Sequence, residues 1–242
     1  MLEIGIDSFA AINKENYQEK EHPGEKAMDE LLERIVACDQ LGFDVFGIGE
    51  HHRKEFLDSS PCVILAAAAA RTKKIRLTSA VTVLSAEDPV RLFQAYATLD
   101  LISKGRAELV LGRGSFSEAF PLFGFNLSDY DELFEEKLKL FLKLRKEEFV
   151  SWTGKFRASL NNQAVYPRPI QNPLPVWLGA GGTMESCIRA GKLGLPLMLA
   201  IIGGQTARFR PQADAYKKAA QEANKTDSLK LGMHSICYVH KD

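Results

Sequence analysis

The chain has 242 residues, of which 45% are hydrophobic, and its 31 basic and 31 acidic residues give a formal net charge of zero. This length allows one large domain or two small ones, and the composition is typical of a globular protein with a sizeable core. The balanced charge excludes the basic excess that drives non-specific binding to nucleic acid. The longest apolar run, at 63–70, is too short to cross a membrane, so we expect neither nucleic acid nor membrane as a partner.

The four cysteines are scattered along the chain, and no two of them form a Cys-x-x-Cys motif. This pattern indicates reduced core residues of a cytosolic protein. The first nine residues, MLEIGIDSF, lack a basic segment followed by an apolar run and are typical of a strand rather than a targeting peptide. We therefore expect a cytoplasmic protein.

Apolar runs rich in β-branched residues alternate with segments of helical period along the chain. The runs predict seven strands within 2–6, 43–49, 75–84, 106–112, 174–180, 195–202 and 229–239. The periodic segments predict helices over 25–41, 60–72, 89–103, 130–147, 184–193 and 211–224. Such alternation predicts an α/β fold with a parallel sheet.

Two parallel architectures fit this pattern, the open doubly wound sheet and the (β/α)8 TIM barrel. No Gly-x-Gly-x-x-Gly follows the first strand, and polar or glycine clusters follow at least five strands, which favours the barrel. We predict a single barrel domain over 1–242 that holds strands 1 to 7. Because seven strands cannot close an eight-stranded barrel, we expect the chain to be a fragment or shortened variant that lacks the last βα units.

One long excursion interrupts the alternation at 148–175. Within it, VSW, TG and KFR predict a short hairpin, which a Pro- and Asn-rich connection follows. A loop of this length in a compact domain is typical of a lid or a wall over a site.

The segment VFGIGEHHRKEF, at 45–56, places a carboxylate and two histidines directly after a buried strand. If strand alternation continues, Glu50 and His52 point one way and His51 the other, so one metal ion cannot easily take both histidines. No metal site is therefore expected. The residues alone leave two alternatives, a solvated strand cap and an acid–base site.

Two glycine-rich turns are candidates for binding a phosphate. In LVLGRGSF, Gly112 and Gly114 allow a ring or phosphate to approach the backbone, and Arg113 offers a planar donor. In WLGAGGTMES, the amides at the start of a helix and the Thr183 hydroxyl can cradle a phosphate. The alternatives are an ordinary turn with a surface arginine, and a threonine that only caps the helix.

Taken together, these motifs resemble the bacterial-luciferase-like family of flavin-dependent monooxygenases. The resemblance rests on GIGEHH, on LTSAVTVLSAEDPVRLFQAYATLDLISKGRAELVLGRGS and on YPRPIQNPLPVWLGAGGT, in the order and spacing of the family. It covers the chain from its first residue to about Asp242. It implies a (β/α)8 barrel that binds FMN or takes reduced FMN from a separate reductase.

The resemblance also implies roles for individual residues. His51 falls on the catalytic histidine, with Glu50 or Asp88 to orient it. The pair Ala80–Val81 matches a non-prolyl cis peptide beneath the flavin ring. The implied cofactor-binding residues are Ala80, Val81, Arg113, Gly114, Ser115, Gly181, Gly182 and Thr183. A reactive cysteine of the light-emitting enzymes is replaced by Gly112, so bioluminescence is not expected.

The function implied by the resemblance is oxidation of a small organic substrate by reduced FMN and molecular oxygen. One alternative is hydride transfer with a deazaflavin coenzyme, and another is a flavin-binding protein without turnover. The alanine-rich helix at 60–72 lets another helix approach closely, and the family's corresponding helices form a dimer interface. We therefore expect a homodimer.

Overall fold

The structure is a computed structural model that describes residues 2–12, 23–227 and 229–238. Its strands are β1 (Gly5–Ser8), β2 (Val45–Ile48), β3 (Arg76–Ser79), β4 (Thr82–Val83), β5 (Leu109–Gly112), β6 (Phe149–Trp152), β7 (Leu160–Ala164), β8 (Val176–Ala180), β9 (Leu197–Ile201) and β10 (Leu231–Ser235). Its helices are α1 (Pro23–Leu41), α2 (Pro61–Arg71), α3 (Pro89–Ser103), α4 (Ala119–Leu122), α5 (Tyr130–Lys146), α6 (Met184–Leu193) and α7 (Arg210–Glu222). The chain forms two compact units, residues 1–109 with 113–175, and residues 110–112 with 176–242.

The first unit contains a parallel sheet in the order β1–β2–β3. Ile6 lies opposite Phe46, and Phe46 lies opposite Leu77. Ala107, just before β5, forms a parallel bridge to Leu77 and extends this sheet. Phe46, Ile48 and Leu77 have no exposed surface, as expected for parallel strands that helices cover on both faces.

The six predicted helices begin and end within two residues of their predicted bounds, whereas the short helix α4 was not predicted. In α3 the prediction is confirmed at both ends, because the Asp88 carboxylate accepts the N–H groups of Val90 and Arg91, at 2.9 and 3.0 Å, and Pro89 takes the first position. The helix stops at Lys104, which adopts the left-handed conformation with φ 60°. Within the described ranges, no helix combines the length and hydropathy that a membrane span needs.

The predicted hairpin exists, but its second strand was placed wrongly. The partner of β6 is not KFR but β7, with Phe149 opposite Ala164 and Trp152 opposite Leu160. The main-chain N–H groups of Lys155 and Phe156 donate to the Glu136 carboxylate on α5, at 2.7 and 3.0 Å. Because this carboxylate holds the KFR segment in the turn, the strand forms farther along, in residues that we assigned to the connection.

In the second unit the parallel order is β5–β8–β9–β10. Residue 239, the last of the predicted seventh strand, lies outside the described residues. Helices α6 and α7 pack closely at Gly191, where a Cβ would lie 2.9 Å from the Cβ of Ala219. The hydroxyl of the buried Tyr216 donates to the carbonyls of Leu195 and Lys230, at 3.0 and 3.1 Å, and so ties α7 to the segments that lead into β9 and β10.

Arg106, in the SKGR motif, acts as a structural clamp. Its guanidinium donates to the carbonyls of Ala69, Thr72, Ile75 and Ser103 and to the Thr72 hydroxyl, at 2.7 to 3.1 Å. These acceptors include carbonyls at the end of α2 that have no partner within the helix. The motif therefore fixes the ends of α2 and α3 against the start of β3.

We predict that Arg106→Lys lowers the free energy of unfolding by about 2–4 kcal/mol, because an ammonium cannot replace the planar donor set and each lost hydrogen bond contributes about 0.5–1.5 kcal/mol. Urea denaturation followed by circular dichroism measures the change. Arg71→Lys, at an exposed position on α2, is the control and should leave stability nearly unchanged. Equal stabilities for the two variants would contradict the clamp.

Candidate functional site

The residues after β2 form a histidine–aspartate pair. The Asp58 carboxylate contacts Nδ1 of His51 at 2.8 Å and accepts the His51 main-chain N–H at 3.1 Å. Asp58 is completely buried, whereas the His51 side chain keeps 12% of its surface exposed. Sequence reasoning missed Asp58, because it lies in an irregular segment before α2 and no motif marks it.

Glu50 does not orient His51, so that prediction is wrong. Its carboxylate contacts Nε2 of His52 at 3.2 Å and accepts the main-chain N–H of Val83 at 2.9 Å. The physical reason is the alternation expected after a strand, which turns Glu50 and His52 to one side and His51 to the other. Asp88 is no substitute, because it caps α3 and pairs with Arg157 at 2.8 Å.

Aromatic side chains surround the His51 ring. The ring centroids of Phe56, Phe9 and Phe116 lie 4.5, 4.6 and 5.5 Å from that of His51. Gly49 makes this packing possible, because a Cβ there would lie 2.6 Å from Phe9 Cδ1 and 2.7 Å from Asp58 Oδ2. The imidazole is therefore held between apolar rings and one buried carboxylate.

The peptide bond Ala80–Val81, between β3 and β4, is cis, which is the geometry that the resemblance implies for this pair. The Ala80 N–H donates to the Ile48 carbonyl at 2.7 Å, so this segment begins beside the end of β2. Glu50, two residues after Ile48, accepts the main-chain N–H of Val83. The cis segment is thus joined to the histidine segment at both ends.

The GRGSF turn lies against the same segment. Gly114 adopts φ +79°, and a Cβ at this position would lie 3.0 Å from Cγ1 of Val83. The Tyr130 hydroxyl donates to the Gly114 carbonyl at 3.1 Å. Ser115 follows, and both residues line a small cleft. The cleft is lined by Glu50, His51, His52, Val83, Gly114, Ser115, Phe116, Glu118 and Ala119.

The Arg113 guanidinium contacts other side chains of the chain. Its guanidinium lies 2.5 Å from the Asp131 carboxylate and 5.1 Å from the centre of the Tyr130 ring. Asp131 is largely exposed, with 72% of its side-chain surface accessible. A phosphate at Arg113 would therefore compete with a carboxylate that is largely exposed to solvent.

Titratable side chains interact with one another in and near the cleft. The hydrogen bond that His52 donates to Glu50, helped by the charges of Glu50, Glu87 and Asp58, raises the pKa of His52 above its usual value. Burial raises the pKa of Glu87, and the nearby Glu50 carboxylate raises it further. Burial lowers the pKa of Lys137 to about 8, and its ammonium donates to the Ser85 carbonyl at 2.6 Å.

The second unit contains the GAGGT turn. Gly181 has no atom within 4 Å of the place where a Cβ would lie, and Gly182 adopts φ +103°. Thr183 is the residue before the first turn of α6, as predicted, and its hydroxyl donates to the Ser186 hydroxyl at 2.8 Å. Gln212 donates to the Gly182 carbonyl at 3.0 Å and supports the turn from α7. The role of the GAGGT turn in binding a phosphate stays a prediction.

Metal ligation finds no support in these clusters. In residues 2–12, 23–227 and 229–238, no three His, Cys, Asp or Glu side chains come together in a way that could hold a metal ion. The two histidines each contact a different carboxylate instead. The His51 imidazole can accept and donate protons, and it lies beside the glycine-containing GRGSF turn.

We predict that the Glu50–His52 pair stabilises the fold more at low pH than at high pH. The pKa of His52 is raised in the folded chain. The contribution of the pair to the free energy of unfolding is therefore complete below the pKa of the unfolded chain, about 6.5, and disappears as the pH rises through the pKa of the folded chain. Urea denaturation of the chain and of His52→Gln between pH 5.5 and 9 measures this difference.

The destabilisation caused by His52→Gln should therefore shrink as the pH rises. Glu50→Gln is the matched variant, and it should flatten the pH dependence because it removes the carboxylate that raises the His52 pKa. A destabilisation that does not change with pH would rule out a charged pair.

Comparison with known proteins identifies relatives over most of the chain. The family model described as luciferase-like monooxygenase matches residues 7–242. The alkanal monooxygenase alpha chain of Photorhabdus luminescens is 30% identical over 208 residues, which cover 83% of this chain and 56% of that protein. The F420-dependent glucose-6-phosphate dehydrogenase of Amycolatopsis mediterranei is 29% identical over 222 residues, which cover 84% of this chain and 64% of that protein.

The crystal structure of the monooxygenase RslO1 from Streptomyces bottropensis superposes with a TM-score of 0.88 at 27% sequence identity. It covers 100% of this chain, which in turn covers 73% of that protein. The predicted fold class is confirmed, since the mixed α/β fold with parallel strands is that of the luciferase-like (β/α)8 enzymes. The chain spans between about half and two thirds of the length of the curated relatives it matches.

Proposed function

The chain belongs to the luciferase-like monooxygenase family, and from this premise we propose that it oxidises a small organic substrate with reduced FMN and molecular oxygen. The observation that carries the proposal is the contact of His51 with the buried Asp58, in a segment that Glu50 and the Ile48 carbonyl connect to the cis segment at Ala80 and Val83. This arrangement supports proton transfer beside a flat ring. Bound reduced FMN would supply the electrons for the reaction with oxygen.

The described residues fit such a cofactor. At Gly181 the space where a side chain would stand is open, so a ribityl phosphate can approach the main chain there, and Gly114 stays a proposed contact. Arg113 would pair with the phosphate, and Ala80–Val81 would lie beneath the ring. Ser115, Gly182 and Thr183 complete the proposed cofactor set.

The residues around His51 would exclude water and move a proton. Phe9, Phe56 and Phe116 cover the imidazole, and a lower local dielectric strengthens its electrostatic contacts. Nε2 is the ring nitrogen that remains for a substrate, since Nδ1 is taken by Asp58. His51 is therefore the proposed acid–base residue, and Glu50 supports the site through Val83 rather than acting on His51.

The cleft supports an uncharged substrate. Its lining contains two glutamates and neither lysine nor arginine. Glu50 is engaged by His52 and Val83, and Glu118 lies 3.6 Å from the guanidinium of Arg53. Because both carboxylates already have partners, we expect the cleft to favour an uncharged substrate.

One relative favours a second candidate function. The F420-dependent dehydrogenase is about as similar to this chain as the alkanal monooxygenase is, so hydride transfer with a deazaflavin coenzyme is the alternative. Titration of the purified protein with FMN, reduced FMN and a deazaflavin distinguishes the two. Oxygen uptake in the presence of NADH and a flavin reductase separates an oxygenase from a flavin-binding protein without turnover.

The outer face of α2 is exposed and rich in small residues. We propose a homodimer through the outer face of α2, where Val63 is 70% exposed and Ala67 and Ala70 are exposed, while Ala68 and Ala69 face the core. A separate reductase is the proposed source of reduced FMN, and the cytoplasm is the proposed location.

We predict that His51→Ala slows substrate-dependent oxygen uptake by about 10²–10⁴-fold, the range typical of general acid–base catalysis, while FMN binding stays nearly intact. Oxygen uptake with a neutral aldehyde, and with an aldehyde that carries a separate carboxylate, measures the rate and compares the two substrate types. Turnover equal to that of the unmodified chain would remove His51 from the reaction. Uptake with the charged aldehyde alone would contradict the uncharged substrate.

We predict opposite effects at the two members of the Arg113–Asp131 pair. Arg113→Ala should weaken FMN binding by about 10–100-fold, the equivalent of one or two charge-assisted hydrogen bonds. Asp131→Asn should strengthen it, because the competing carboxylate is lost. Fluorescence titration measures both affinities. Riboflavin, which lacks the phosphate, is the control ligand and should bind the variants and the unmodified chain alike.

A further inference from the structure

The Asp58 carboxylate contacts His51 through both of its oxygens. One oxygen accepts the main-chain N–H of His51 at 3.1 Å, and the other lies 2.8 Å from Nδ1 of the ring. An ionised carboxylate can only accept hydrogen bonds. Nδ1 must therefore carry the hydrogen, and in the neutral imidazole the lone pair is then at Nε2.

We propose that Asp58 is a positioning residue that fixes His51 as the Nδ1–H tautomer, so that Nε2 acts as the base toward the substrate. This inference deepens the proposed function, in which His51 moves the proton. It assigns the direction of the transfer: a hydroxyl or other donor group of the bound molecule gives its proton to Nε2. The resulting imidazolium then faces the Asp58 carboxylate.

Local packing supports the assignment, because it keeps the ring from turning. Phe9 and Phe56 lie 4.6 and 4.5 Å from the His51 centroid. The space at Gly49 is so tight that a Cβ would lie 2.7 Å from Asp58 Oδ2 and 3.0 Å from His51 Cε1. Rotation of the ring would bring an apolar C–H toward the carboxylate and break its hydrogen bond.

Electrostatics point the same way. Asp58 is fully buried, so its charge is weakly screened where the imidazolium would form. The other charges nearby are already engaged, since Glu50 contacts His52 and Arg53 lies over the Phe116 ring at 4.5 Å and near Glu55 and Glu118. Asp58 is thus the carboxylate placed to select the tautomer of His51.

Substitution of Asp58 by asparagine tests the proposal, because an amide can donate a hydrogen bond to Nδ1 and so favour the opposite tautomer. Nitrogen-15 NMR of the histidine rings reports the tautomer of His51, with His51→Ala to assign its signals. The unmodified chain should show the hydrogen on Nδ1, and Asp58→Asn should shift it to Nε2. Asp39→Asn is the control, since Asp39 also accepts main-chain N–H groups but lies away from the histidines.

Turnover provides a second measurement. Asp58→Asn should reduce substrate-dependent oxygen uptake by about 10²–10⁴-fold, change the pH profile of kcat/KM, and leave FMN affinity unchanged. Full activity, or an unaltered pH profile in Asp58→Asn, would overturn the proposal. A merely structural aspartate would lower the yield of folded protein without altering the profile of the fraction that folds.

Two further results keep the test decisive if Asp58→Asn does not fold. A hydrogen on Nε2 in the unmodified chain, seen by NMR alone, would overturn the proposal. Gly49→Ala should displace the pair and mix the tautomers. The NMR measurements need neither flavin nor substrate, so a locked tautomer in a chain that consumes no oxygen would remove the proposed function and leave the role of Asp58 standing.

Discussion

The carboxylate of Glu50 is the contact on which the arrangement of the site depends. It is nearly buried, and its two oxygens contact groups from different parts of the chain, the His52 ring and the Val83 main chain. Val83 in turn packs on Gly114, whose carbonyl accepts the Tyr130 hydroxyl. One buried charge therefore sets the spacing of three segments that follow three strands. Removing either partner would leave the buried Glu50 carboxylate short of a hydrogen bond, which costs more than the loss of one bond between neutral groups.

Several motifs that make the sequence recognisable serve the structure rather than the chemistry. Arg106 of SKGR clamps carbonyls near the ends of α2 and α3. Asp100 is fully buried and accepts both the main-chain and side-chain N–H groups of Gln171, which follows YPRP. Arg168, within YPRP itself, donates to carbonyls at the end of α5 and lies over Phe93. Each of them holds the ends of neighbouring elements in register.

The fold could be predicted from the sequence where the signal is local. The cap at Asp88 and Pro89 and the periodicity of α6 gave the correct helix bounds, since capping and hydrophobic period are properties of short segments. The hairpin failed because its turn is held by Glu136, a side chain outside the window that the pattern considers. In the site, alternation correctly separated His51 from Glu50 and His52. Asp58 could not be found, because its contact with His51 depends on a loop path that no residue pattern encodes.

The ion pair of Arg113 and Asp131 has a consequence for how any anion would bind there. The guanidinium already rests against the Tyr130 ring and a carboxylate, so its side chain is ordered before a ligand arrives. Where the incoming anion displaces the Asp131 carboxylate, binding exchanges one negatively charged partner of Arg113 for another. Because dissolved ions weaken the contact that breaks as well as the contact that forms, their effects on the exchange partly cancel. Attraction to this arginine should therefore depend less on ionic strength than attraction to a solvated cation of the same charge.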